Sequence, residues 1–140
     1  TEVEMIEKKH RIEDALEAVK SAQLEGIVPG GGCALLSAVR VLDDVSCPNS
    51  DQVLGVEIIR QAASAPLRQM AINAGESPDI ICAKVIETDS DTGYDFVTGQ
   101  VVNMWDQGII DPVKVTRTAL QNAASVSGTL LTTNCAVIQK

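Results

Sequence analysis

The chain has 140 residues, of which 45% are apolar and 2% aromatic, and it carries a net charge of −8. That apolar share excludes a disordered tail, and the length suits one domain or part of one, able to bury roughly 65–70% of its unfolded surface. An acidic balance without a basic cluster argues against nucleic-acid binding, and no apolar run approaches the roughly 20 residues of a membrane span.

With Tyr94, Phe96 and Trp105 as the aromatic residues, the core is expected to be aliphatic. Cys33, Cys47, Cys82 and Cys135 lie far apart, with no C-x-x-C spacing and His10 as the one histidine. That pattern predicts reduced thiols in a cytoplasmic setting and no structural zinc. No secretory signal is visible. The chain opens at Thr1 partway into a helical pattern and reads as a piece of something longer.

From Glu2 to Leu24 the spacing predicts a long helix, with Ile12, Ala15, Leu16, Val19 and Gln23 on one stripe and Gly26 ending it. Ile27 to Gly32 reads as a glycine-rich bend, followed by a helix presenting Leu35, Ala38, Val39 and Leu42. A third helix is predicted from about Asp51 to Ala65, with Leu54, Ile58, Ala62 and Ala65 inward. Pro66 opens a further helix that buries Leu67, Met70, Ala71 and Ala74 and closes at Gly75, and Ser77-Pro78 opens another to about Ile86. Gly93 to Val102 is predicted to form a hairpin and Val102 to Gln107 a brief helix stopped by Gly108. Asp111-Pro112 starts a helix to about Leu130, with Val115, Ala119, Ala123, Val126 and Leu130 inward, and Asn134 to Ile138 alternates like a strand without a nearby partner. The expected class is mostly α, with a short hairpin and a C-terminal β-strand.

Four features could carry chemistry. Residues without Cβ at Gly30, Gly31 and Gly32 let a backbone approach a ligand, yet the stretch is neither a P-loop nor G-x-G-x-x-G, and a tight helical corner explains it equally. Asp14 lies about 200° round its helix from the apolar stripe. It is either a solvated carboxylate pairing with His10 or a general base for a water in a neighbouring cleft. Asp111 before Pro112 suits an N-cap, and a carboxylate there can also accept from ligand hydroxyls. The Gly93-Tyr94-Asp95-Phe96 segment is a loop tip or a base-stacking surface. Cys33 and Cys82, among apolar neighbours, read as small core residues.

Several motifs in register resemble the group I chaperonins, the GroEL type. They are Thr1 to Met5, Arg11-Ile12-Glu13-Asp14-Ala15-Leu16, Gly26-Ile27-Val28-Pro29-Gly30-Gly31-Gly32, Ala65-Pro66-Leu67-Arg68-Gln69, Gly93-Tyr94-Asp95 and Gly108-Ile109-Ile110-Asp111-Pro112 with Lys114-Val115-Thr116-Arg117. The resemblance covers essentially the whole chain. It implies that residues 1–25 are the returning helix of an intermediate domain and residues 26–140 the C-terminal half of an equatorial, ATP-binding domain.

The resemblance further implies that Asp14 is the catalytic aspartate that helps activate the attacking water. It implies that Gly31 and Asp111 line the base and ribose end of ATP, and that Asp95, Phe96 and Val97 border the base. Magnesium is expected in the intact subunit, with its ligands mostly in a Gly-Asp-Gly-Thr-Thr-type loop outside this chain. Implied partners are other subunits of a homo-oligomeric ring and, through an apical domain absent here, unfolded substrate proteins and a co-chaperonin. Phe96 and His10 stand where the family usually has small residues, and the glycine–methionine tail common in bacterial members is missing after Lys140. The competing reading is a non-catalytic helical interaction module, for which Phe96 is the best support.

Overall fold

The computed structural model describes residues 1–138 and is mostly helical. In chain order the elements are α1 (Glu2–Glu25), β1 (Ile27–Pro29), α2 (Cys33–Ala38), a 3-10 turn of helix (Val39–Asp44), α3 (Ser50–Ala63), α4 (Ala65–Asn73), α5 (Pro78–Ile86), β2 (Thr92–Asp95), β3 (Gln100–Asn103), β4 (Ile110–Pro112) and α6 (Val113–Leu131). The chain forms two compact units: one of Thr1–Gly26 with the segment from Pro112 on, the other of Ile27–Asp111. Among the described residues no helix is long and apolar enough to cross a membrane.

The first unit is a pair of helices, α1 and α6. A capping box starts α1: the Thr1 hydroxyl accepts from the Glu4 amide while the Glu4 carboxylate reaches back to the Thr1 nitrogen. Glu2 and Glu4 also suit the positive end of the helix dipole. Gly26 ends the helix with φ 86°. A two-pronged ion pair ties the helices together, Arg117 Nε and Nη2 lying 2.9 and 2.7 Å from the two Glu25 carboxylate oxygens. Neither helix has a buried residue, so the predicted stripes, including Ile12, Leu16, Val115 and Val126, remain on the surface.

The second unit holds the core. Cys33, Leu67, Ala71, Ile81, Val85, Tyr94 and Met104 pack together, with Leu36 and Cys82 closing the cluster. Each fully buried aliphatic side chain such as Leu67 contributes about 1.5–3 kcal/mol relative to exposure. The α4 and α5 boundaries follow the proline signals, with Pro66 and Pro78 in the first turns.

Two helical faces, those of α2 and α3, differ in phase from the prediction, and the buried face of α4 is shorter than predicted. In α2 the buried residues are Cys33 and Leu36, while Ala38 is exposed. In α3 the covered face is Val56, Ile59 and Ala63, while Leu54 and Ile58 stay exposed. In α4 Leu67 and Ala71 are buried as expected and Ala74 is not. Apolar residues surround α3 on most sides, so the neighbouring helices, not its own periodicity, select the buried stripe.

The hairpin forms, with β2 and β3 antiparallel and Gly93 opposite Val102 and Tyr94 opposite Val101. The brief helix predicted from Val102 to Gln107 does not. The ladder takes Val101 and Val102, and the Asn103 carboxamide then accepts from the Trp105 and Asp106 amides at 2.9 and 3.2 Å. Such a side-chain turn competes directly with helical bonding. The C-terminal strand predicted for Asn134 to Ile138 is also absent, and residues 134–138 take no regular structure. A strand exists only as part of a ladder, and among the described residues none pairs with this segment.

Candidate functional site

The glycine bend sits where β1 meets β4. The Gly30 amide donates to the Ile109 carbonyl at 2.9 Å, and a Cβ on Gly30 would lie 3.1 Å from the backbone of Ile109 and Ile110. Gly31 and Gly32 have φ of 66° and 76°, in the left-handed region that side chains disfavour. A Cβ on Gly32 would also come within 2.9 Å of the Leu67 amide nitrogen. The three glycines thus answer two needs, close backbone approach and chain reversal into α2, and the Cys33 amide closes the turn on the Gly30 carbonyl at 3.2 Å.

Asp111 lies on β4 facing this bend. Burial pushes its carboxyl above the ordinary range, and a backbone hydrogen bond from Gly31 works against that rise. The Asp111 charge in turn adds to the burial that raises the Cys33 thiol. Asp111 is not the N-cap of α6 that its sequence suggests: the cap position is Pro112 and no side chain caps the helix. The carboxylate is held in β4 by the strand and points to Gly31, while the first helical amide, that of Val113, donates to the Gly26 carbonyl at 3.1 Å.

Asp95 ends β2, and its side chain is used locally. It accepts from the Val97 amide at 2.9 Å and from the Thr98 hydroxyl at 2.7 Å, while its carbonyl accepts from the Gly99 amide at 2.8 Å. The Thr98 bond first, then the Val97 bond, holds its carboxyl below the usual value. Phe96 packs edge-on against Tyr94 with ring centroids 4.9 Å apart. Val97 at the tip is 94% exposed. Gly31, Asp111 and the Tyr94 end of β2 therefore share one locality, Asp95 stabilises its own turn, and Val97 faces outward.

Asp14 belongs to the other unit, exposed on α1. The pairing with His10 does not form: among the described residues the side-chain ion pairs within α1 join Arg11 to Glu7, Lys9 to Glu13 and Lys20 to Glu17. Cys33 and Cys82 are buried core residues, as predicted. Sequence reading missed Met104, fully buried beneath the bend, and the part played by Gly93. An isolated glycine in a strand was the available signal, since it marks close approach of neighbouring atoms.

A cavity of about 420 Å³ opens elsewhere in the same unit, between α2, α3 and α5. Its guanidinium groups are already used: Arg60 pairs with Asp43 and Glu57, Arg68 with Asp79, and Arg40 donates to the Ile86 and Thr88 carbonyls. At the glycine bend, the φ-positive backbone and the half-buried Asp111 carboxylate offer an acceptor to a ligand hydroxyl. A carboxylate there repels phosphate. Among the described residues no group of three or more His, Cys, Asp or Glu could hold a metal ion.

The sequence matches the TCP-1/cpn60 chaperonin family over residues 1–140, and the chain belongs to that family. The fold is similar to a crystal structure of a group III chaperonin in the open state, with a TM-score of 0.72 and 28% identity over 84% of this chain. The chain spans about a quarter of the length of that structure, which it covers to 25%.

Proposed function

We propose that this chain is a segment of an ATP-driven folding chaperonin of the group I type, contributing one side of a nucleotide site. The observation that carries this reading is the pairing of Gly31 with Asp111: a backbone amide in a left-handed bend beside a half-buried carboxylate. Gly31 would meet the nucleotide through its backbone and Asp111 would accept from ribose hydroxyls. The segment from Asp95 to Val97 would border the base through its turn, its carboxylate being occupied. ATP, when bound, supplies the transferable phosphoryl group. Asp14, an exposed carboxylate on a long helix, would take the proton from the attacking water once that helix closes over the site. Magnesium and the phosphates would be held by a part of the subunit outside this chain. Ring assembly with further subunits, and handling of unfolded proteins with a co-chaperonin, belong to that whole subunit.

The test is titration calorimetry with ATP and magnesium on this chain, before and after adding a separately expressed N-terminal equatorial half. Binding in the mixture and none in the chain alone is expected, and the chain alone should release no phosphate above background. If the halves associate and the mixture still binds nothing, the reading is wrong. Asp14→Ala in a full-length subunit then separates an enzyme from an assembly module. Lost hydrolysis with intact rings supports the first, and unchanged hydrolysis supports the second.

A further inference from the structure

We infer that Met104 is a positioning residue for the glycine bend, its thioether acting as a spacer that fixes how the Gly31 backbone stands against the β2–β3 hairpin. Met104 is 0% exposed and lies between two glycines. Beneath it is Gly93, where a Cβ would come within 2.8 and 2.9 Å of Met104 Cε and Sδ and would collide with the Cys33 sulfur. Above it is Gly31, where a Cβ would lie 3.0 Å from Met104 Cε. The side chain thus fills the gap between hairpin and bend that the two missing side chains leave.

The Met104 backbone is pinned at the same level. Its amide donates to the Asp91 carbonyl and its carbonyl accepts from the Ile109 amide, both at 2.9 Å. The Ile109 carbonyl in turn accepts from the Gly30 amide at 2.9 Å. A continuous backbone relay therefore runs from the hairpin entrance through Met104 to the bend. An unbranched side chain is what this gap admits, because a β-branched residue would crowd Gly93 and a short one would leave Gly31 unsupported. The consequence for nucleotide binding rests on the function proposed above, whereas the positioning itself does not.

The experiment is Met104→Ala and Met104→Leu in this chain, read by hydrogen exchange of the Gly30 amide, which donates to the Ile109 carbonyl at 2.9 Å at the end of that relay. In Met104→Ala the Gly30 amide should exchange at least about tenfold faster, while the Ala71 and Val85 amides hold their parental rates. Met104→Leu, which keeps most of the core volume, should fall between parent and alanine variant. If Met104→Ala does not fold, Met104→Leu alone decides by the same readout. Unchanged Gly30 exchange in a folded variant overturns the proposal. So does equal loosening of Gly30, Ala71 and Val85, which would make Met104 a core residue only. A response of Gly30 in an assembled site that takes no ATP supports the spacer and removes the nucleotide reading. An assembled site that binds ATP while Gly30 stays unmoved in the variants does the reverse.

Discussion

Asp111 and Asp95 sit 16 residues apart in sequence and are driven in opposite directions by their surroundings. Hydrogen bonds from Thr98 and Val97 hold Asp95 low, so its contribution to stability is present above the ordinary carboxylate value and is lost as pH falls through the depressed one. Asp111 is raised by burial, so the folded chain keeps a proton there that the unfolded chain has already released. Stability therefore falls as pH rises through the ordinary value of 3.8 toward the raised one, and it stays reduced at neutrality. Asp111→Asn keeps an oxygen for the Gly31 amide and removes the buried charge. We expect it to melt at a higher temperature than the parent at neutral pH, with the difference narrowing as the pH approaches the ordinary carboxylate value. Melting curves followed by circular dichroism across that range would show this. A variant that melts lower at neutral pH would mean that the ionised carboxylate is net stabilising. A group kept charged at a cost to stability is the pattern of a residue retained for function.

Glycines illustrate how differently one residue type acts in different elements. Gly32 has φ 76° and the Leu67 amide nitrogen within 2.9 Å of a would-be Cβ, whereas Gly55 lies inside α3 with nothing within 4 Å. Gly32→Ala should therefore destabilise by about 1–3 kcal/mol from backbone strain, with the Leu67 contact adding to it. Gly55→Ala should stabilise by about 0.5–1 kcal/mol, since it removes backbone freedom from the unfolded chain without a clash. Chemical denaturation of the two variants measures both, and equal effects would contradict this assignment of the two sites. The same contrast explains what the sequence discloses. Proline and glycine signals are local, so the starts of α4 and α5, the end of α1 and the bend at Gly30 to Gly32 were all legible. The pairing of Gly31 with Asp111 was legible only as two members of one resemblance, because it joins residues far apart in the chain. Which stripe of α3 is buried was not legible, since Val56 and Ile59 compete with Leu54 and Ile58 until α4 and the 3-10 turn are in place. Asp111 was misread because Asp-Pro is a strong capping signal, and β4 shifts the start of α6 beyond it. Met104 was hidden by a turn that Asn103, not a helix, builds.

At the scale of the whole chain, the two units are stabilised by different means. The Ile27–Asp111 unit buries Leu67, Ile81 and Met104 in a shared core. In the other, α1 and α6 have no buried residue and rely on a capping box, intrahelical ion pairs and the Glu25–Arg117 fork. Exposed ion pairs of this kind are screened by water and contribute less than the burial of one leucine. Arg117 holds the Glu25 carboxyl low, so this tie also weakens as pH falls through the depressed Glu25 value. Meanwhile Leu16, Val126, Leu130 and Leu131 are each more than half exposed, and Val137 and Ile138 stand in solvent on an unpaired segment. Apolar surface on this scale, next to backbone with no ladder partner, is removed from water most readily by a second chain. The chain alone is therefore expected to self-associate, with a weight-average mass that climbs with concentration in light scattering. Leu16→Glu together with Val126→Glu should lower that mass while leaving the melting of the Ile27–Asp111 core unchanged. A parent chain that scatters as a monomer over a wide concentration range would show that α1 and α6 are content in water as a pair. The missing partner would then have to be sought through the segment at residues 134–138 instead.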